Sequence, residues 1–179
     1  MKKVFIITFV ALGFGLNSYA QENVIKINPL GLALGSAELG YERALNEKSA
    51  LEVSLAYFSS DATFNSGEEV KANGFGAEGK YKLYFSSTNN APRGWYAAPV
   101  ATYASASADS SSGEDGKFSY FGAGAVAGYQ WIFGGGNSGF ALDLNLGFQY
   151  ISASTQGSIS GVSIDGILPR LGLSLGYAW

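Results

Sequence analysis

The chain of 179 residues contains no cysteine and no histidine. Without cysteine there can be no disulfide staples, so stability has to come from packing or from the surroundings. Without histidine, a serine nucleophile has no imidazole base, and the commonest metal ligand is missing. Proline is scarce, at 4 residues, and only 14% of the side chains are charged. The helix formers Lys, Glu and Gln never fall in a sustained 3.6-residue pattern, which argues against a mainly helical protein. Beyond the first twenty residues, no apolar run is long enough for a transmembrane helix. The formal charge is weakly negative, −3, with no basic patch, so nucleic acid is not an expected partner.

What is abundant is glycine, 25 residues, with 12 Phe and 11 Tyr. The first residues read as a targeting segment. Lys2 and Lys3 precede an uncharged apolar run over 4–16, and Ser18-Tyr19-Ala20 offers small residues at both positions a signal peptidase inspects. The expectation is a secretory signal peptide over 1–20, cleaved after Ala20, and a single domain over 21–179. No cysteine follows the cleavage site, which excludes a lipoprotein. Losing Lys2 and Lys3 takes the formal charge from −3 to −5.

Eight segments of the remaining chain alternate with period two, at 24–34, 36–44, 50–58, 75–85, 95–104, 118–133, 140–150 and 167–179. Such segments, separated by Gly- and Ser-rich polar patches, predict an all-β protein. The seventh is the clearest. Phe140, Leu142, Leu144, Leu146, Phe148 and Tyr150 alternate with Ala141, Asp143, Asn145, Gly147 and Gln149. The fifth is ambiguous, because both of its alternate sets are apolar. An even strand count closes an eight-stranded antiparallel up-and-down transmembrane β-barrel with both termini on one side. Connectors at 35, 61–74, 105–117 and 153–166 then lie at one end, and shorter ones at 45–49, 86–94 and 134–139 at the other. Long loops outside and short turns in the periplasm are the asymmetry of outer-membrane barrels. The connection at Gly35 departs from it.

Eight strands enclose an interior just wide enough for side chains to fill. Rows of Leu, Phe, Tyr and Trp are too bulky for it, whereas the opposite face is small or polar. The bulky face is therefore expected to meet lipid. Aromatic residues cluster at strand ends, with Tyr41, Phe85, Trp95, Trp131, Phe133, Phe140, Tyr177 and Trp179 at one and Tyr57, Phe75, Tyr103, Phe118, Tyr120, Phe148 and Tyr150 at the other. Two girdles of this kind suit a bilayer.

The last thirteen residues alternate Ile167, Pro169, Leu171, Leu173, Leu175, Tyr177 and Trp179 with residues that are small or polar apart from Leu168. A strand ending on Tyr-x-Trp resembles the C-terminal strand of Gram-negative outer-membrane barrels. That resemblance implies a location in the cell outer membrane, both termini periplasmic, and Leu175, Tyr177 and Trp179 as the signal read by the barrel insertion machinery. Most of the chain resembles the small OmpA/OmpX-type barrels. Asn-Val-Ile-Lys-Ile-Asn-Pro-Leu at 23–30, Leu-Gly-Tyr-Glu-Arg at 39–43 and Gly-Trp-Tyr-x-x-Pro at 94–99 resemble a family of short secreted barrels of unknown function. No activity, cofactor or site residue follows from that likeness.

Apparent catalytic motifs do not survive their context. Gly172-Leu173-Ser174-Leu175-Gly176 matches the nucleophile elbow of serine hydrolases, which needs a strand-turn-helix and a base. Here it falls within an alternating strand. The glycines at 122, 124 and 128 sit within another such strand, lack phosphate-loop spacing, and are expected to relieve curvature. Asp109, Glu114 and Asp115 lack EF-hand spacing. No catalytic, cofactor-binding or metal-binding residue is expected, and the protein is not expected to be an enzyme.

The inward face carries Lys26, Lys80, Lys82 and Arg170 with Glu38, Glu42, Glu52, Glu78 and Asp143. Nearly balanced charge predicts a salt-bridge network plugging the lumen, since an unpaired buried charge is costly. The competing reading is a proton or small-ion path. Arg170 has Glu78, Glu52 and Asp143 as candidate partners. Three function classes follow. One is a structural or surface-interaction barrel in outer-membrane lipid. Another is a narrow channel or conduit for ions or small apolar ligands. The third is an accessory subunit of a larger outer-membrane complex, approached through Ala123, Ala125 and Ala127.

Overall fold

Each period-two segment pairs with the next, and the last returns to the first. A computed structural model describes residues 23–63, 69–86, 88–110, 115–134, 138–157 and 164–179. The strands are β1 (Asn23–Ile27), β2 (Ser36–Asn46), β3 (Ser49–Thr63), β4 (Glu69–Tyr84), β5 (Gly94–Ser110), β6 (Asp115–Phe133), β7 (Gly139–Gly157) and β8 (Ile164–Ala178). All neighbours are antiparallel, in the order β1 to β8, and the sheet closes as a barrel. The expected signal peptide lies outside the described residues.

The register defines the geometry of the wall. Following pairs from Ile27 through Leu39, Leu55, Ala77, Tyr103, Phe121 and Ser152 arrives at Asp165 on β8. Ile27 itself pairs with Leu175, so the sheet closes with a stagger of ten residues, from Asp165 to Leu175. Eight strands with that stagger are tilted by about 40° to the barrel axis.

Alternation divides the side chains as their size requires. Leu146 is 65% exposed and Leu171 75%, and Leu39, Leu55, Phe75, Trp95, Phe121 and Phe148 stand on the same outer surface. Inside are Lys26, Glu42, Glu52, Lys82, Tyr84, Tyr96, Gln130 and Asp143, all buried. The fifth strand resolves its ambiguity here, with Trp95 and Tyr103 outward and Tyr96 inward at 0% exposure. Gly128 explains how so large a ring fits. It pairs with Tyr96, and a Cβ there would stand 2.7 Å from the tyrosine ring.

Three expectations are corrected. The first segment does not run through 24–34. It stops at Ile27, and a single-turn helix, α1 (Pro29–Ala33), follows. Asn28 caps it, its side chain accepting from the Gly31 amide at 3.0 Å, and Pro29 fills a first-turn position where no amide is needed. The far connectors are also shorter than read, because β3 to β8 continue as paired hairpins beyond the expected boundaries. Asp109, assigned to a loop, pairs with Asp115 across β5 and β6, while Glu114 lies outside the described residues. Finally, Phe118 and Tyr120 do not join an outer girdle. They share the inward register of Gly122 and Gln130 and line the lumen.

Because β1 is short, its ladder with β8 covers only Val24 to Ile27 against Ala178 to Leu175, extended by reciprocal Asn23–Trp179 backbone bonds of 3.0 Å. Among the described residues, no strand pairs with 164–174 of β8 on that side. Helix α1 lies between β2 and β8 there.

Candidate functional site in the lumen

The inward charges fall into two groups joined through Lys80, with Glu38 apart from both. The end of the barrel carrying Asn23 and Trp179 holds a buried cluster to which seven of the eight strands contribute. Lys26 of β1 and Lys82 of β4 each reach Glu42, Glu52 and Asp143, from β2, β3 and β7. Lys26 lies 2.6 Å from Glu52 and 2.8 Å from Asp143, and also bonds to Glu42. Lys82 lies 2.5 Å from Asp143, 2.7 Å from Glu52 and 2.9 Å from Glu42. Both ammonium groups also donate to Gln130 Oε1 of β6, at 2.7 and 3.1 Å. Strand β8 contributes room instead, since a Cβ on Gly176 would stand 3.1 Å from Lys26 Cγ.

Two tyrosines complete the carboxylate shells. Tyr84 donates to Glu42 Oε1 and Tyr96 to Asp143 Oδ1, both at 2.6 Å, and Lys82 Nζ lies 4.3 Å above the Tyr96 ring. Lys80 reaches Glu52 at 2.8 Å. The three lysines and three carboxylates cancel, and each charge is bonded to more than one partner. That is the condition under which burying them is tolerable. The loop before β5 packs against this cluster. Pro92 is fully buried and its carbonyl accepts from Gln130 Nε2 at 2.7 Å, while Ala91 joins the apolar cluster of Tyr84, Tyr96 and Val126.

Glu42, Glu52 and Asp143 bring oxygens within 4.8 Å of one another, close enough to share a metal ion. Both ammonium groups bond to all three, so lysine supplies the cations at this point.

Further along the axis, Arg170 donates to Glu78 Oε2 at 2.5 Å and to Gln149 Oε1 at 3.0 Å. Thr102 donates to Glu78 at 3.1 Å and accepts from Gln149 at 2.9 Å. Of the three partners expected for Arg170, the structure selects Glu78. Lys80 joins the two groups, 2.9 Å from Glu78. Glu38 stands apart, accepting from Asn28 Nδ2 at 2.9 Å.

Beyond Glu78 the lumen opens into a cavity of about 210 Å³, lined by Ser36, Glu38, Ser54, Ala56, Phe58, Glu78, Thr102, Ala104, Phe118 and Tyr120. Sequence reasoning missed Tyr84, Tyr96, Gln130, Thr102 and Gln149. Gln130 and Gln149 carried a signal, each being a polar residue on the inward register of an otherwise small face. Leu175, Tyr177 and Trp179 point outward at the end that carries Asn23, where Tyr177 and Trp179 are exposed. The elbow-like Gly172–Gly176 stretch is mid-strand, with Ser174 paired to Asp143.

None of the curated proteins compared with the chain matches it. A family model described as "Protein of unknown function (DUF3575)" matches residues 4–158, nearly the whole barrel through β7, and the chain belongs to that family.

Proposed function

We propose that this protein is an integral barrel of the Gram-negative outer membrane, with both termini periplasmic. Its role is structural or surface-interacting and its lumen is closed to ions. The observation that carries this reading is the inversion of the usual polarity. Leu146, Leu171, Phe148 and Leu55 are exposed while lysines and carboxylates are buried, which suits lipid outside and a sealed interior. The caged Lys26 and Lys82, with Pro92 over Gln130, support the closed state. No catalytic step and no cofactor belong to the proposal. Refolded into planar bilayers, the chain should insert without steady conductance. Steady conductance altered in selectivity by Arg170→Met would replace the plug with the channel reading.

A specific feature favours a second role, as accessory subunit of a larger outer-membrane complex. The pairs Ala97–Ala127, Pro99–Ala125 and Ala101–Ala123 make a flat exposed patch across β5 and β6, framed by Trp95–Tyr129 and Tyr103–Phe121. Lipid alone would favour Leu there, whereas small residues let a second barrel approach. An outer-membrane partner that co-purifies in mild detergent should be lost on Ala125→Trp. Co-purification indifferent to that change would remove the patch from the argument.

A further inference from the structure

The cavity beyond Glu78 differs from the packed end in chemistry as well as in volume. Its walls are carbon-rich, from Ala56, Phe58, Ala104, Phe118 and Tyr120, on strands that elsewhere turn polar groups inward. Its carboxylates are unequally compensated. Glu78 is held by Arg170 and Lys80, but among the described residues Glu38 has no cationic partner, only the amide of Asn28. Glu38 is half-buried at the cavity wall, so its carboxylate is open to a cation entering the lumen, and the apolar walls beside it strengthen that attraction.

We propose that this cavity binds a small organic amine, its ammonium on Glu38 and an apolar body of roughly benzene size among Phe58, Phe118 and Tyr120. The size follows from volume. An apolar cavity of about 150 Å³ accepts benzene, and this one measures about 210 Å³. The charge follows from Glu38. The site goes beyond the closed-barrel reading and does not depend on it, since the floor beneath Glu78 is not traversed.

Calorimetric titration of the refolded barrel in zwitterionic micelles tests the site with three probes of one shape: 2-phenylethylamine, 2-phenylethanol and phenylacetate. The amine should bind saturably, the alcohol about tenfold or more weakly by comparison, and the carboxylate not at all. Glu38→Gln should bring amine and alcohol to similar affinity, and Ala56→Phe should remove both. Unheated gel migration checks that each variant is folded, and Ala104→Leu serves if Ala56→Phe is not. No saturable heat from the amine, equal binding of amine and phenylacetate, or full amine affinity in Glu38→Gln would each overturn the proposal. So would competition by sodium or calcium without any preference for the apolar body.

Discussion

Lys82 shows what a single residue can hold. Its ammonium touches three carboxylates, a glutamine and a tyrosine ring, with no exposed surface. Lys82→Met leaves Glu42 and Asp143 to Lys26 alone, with Glu52 shared between Lys26 and Lys80, and should cost about 3–5 kcal/mol, the range for breaking a buried ion pair. Removing Asp143 as well should restore part of that loss, because fewer unpaired charges remain. Arg170→Met should cost less than Lys82→Met, since Arg170 is 19% exposed and Glu78 keeps Lys80. Urea titrations of the refolded variants give the order. Equal losses would mean that the two groups form one unit. Glycines divide in the same way. Gly128→Ala pushes a methyl into the Tyr96 ring and should destabilise by about 1–3 kcal/mol, whereas Gly79, with nothing within 4 Å, should tolerate alanine without loss. At this scale the inward charges were legible by parity alone. Their grouping was not, because which carboxylate meets which lysine depends on the ten-residue stagger, which no local pattern contains.

Among the elements, β7 offers the sharpest test of facing. Leu144 is outward and Asn145, its neighbour, is buried inward. In lipid vesicles Leu144→Arg should cost about 2–4 kcal/mol, and Asn145→Ser less than about 1 kcal/mol. A reversed order in urea titrations would turn the barrel inside out. The strands were legible wherever a bulky row faced a small one, as in β7 and β8. In β5 both rows are apolar, and only its neighbours decide, through Gly128 beneath Tyr96. The helix α1 was missed because Leu30, Leu32 and Leu34 alternate with Gly31 and Ala33 as a strand would, although out of phase with Ile25 and Ile27. The contrary signal was Asn28-Pro29, a cap followed by a residue that suits a helix start. The far hairpins were read short because serines, glycines and alanines pair as well as bulky residues do where no apolar face has to be covered.

For the whole molecule, the strength of the wall is uneven around its circumference. β6 and β7 share eighteen paired residues, whereas β1 and β8 share four, with the Asn23–Trp179 bonds beyond them. Hydrogen exchange should therefore be slowest along β6 and β7 and fastest in β1. Over 164–174, amides should alternate between protected and unprotected, because only those turned toward β7 have a strand partner. Uniform protection along β8 would show that α1 or another segment closes that edge. In mechanical terms the barrel is a hoop with one weak rivet line. Tension around the circumference, or a pull applied between the two ends of the chain, concentrates on a few hydrogen bonds at Asn23–Ile27. The first event under load is then a parting at that line, which leaves an open sheet of eight strands with its longest ladders intact.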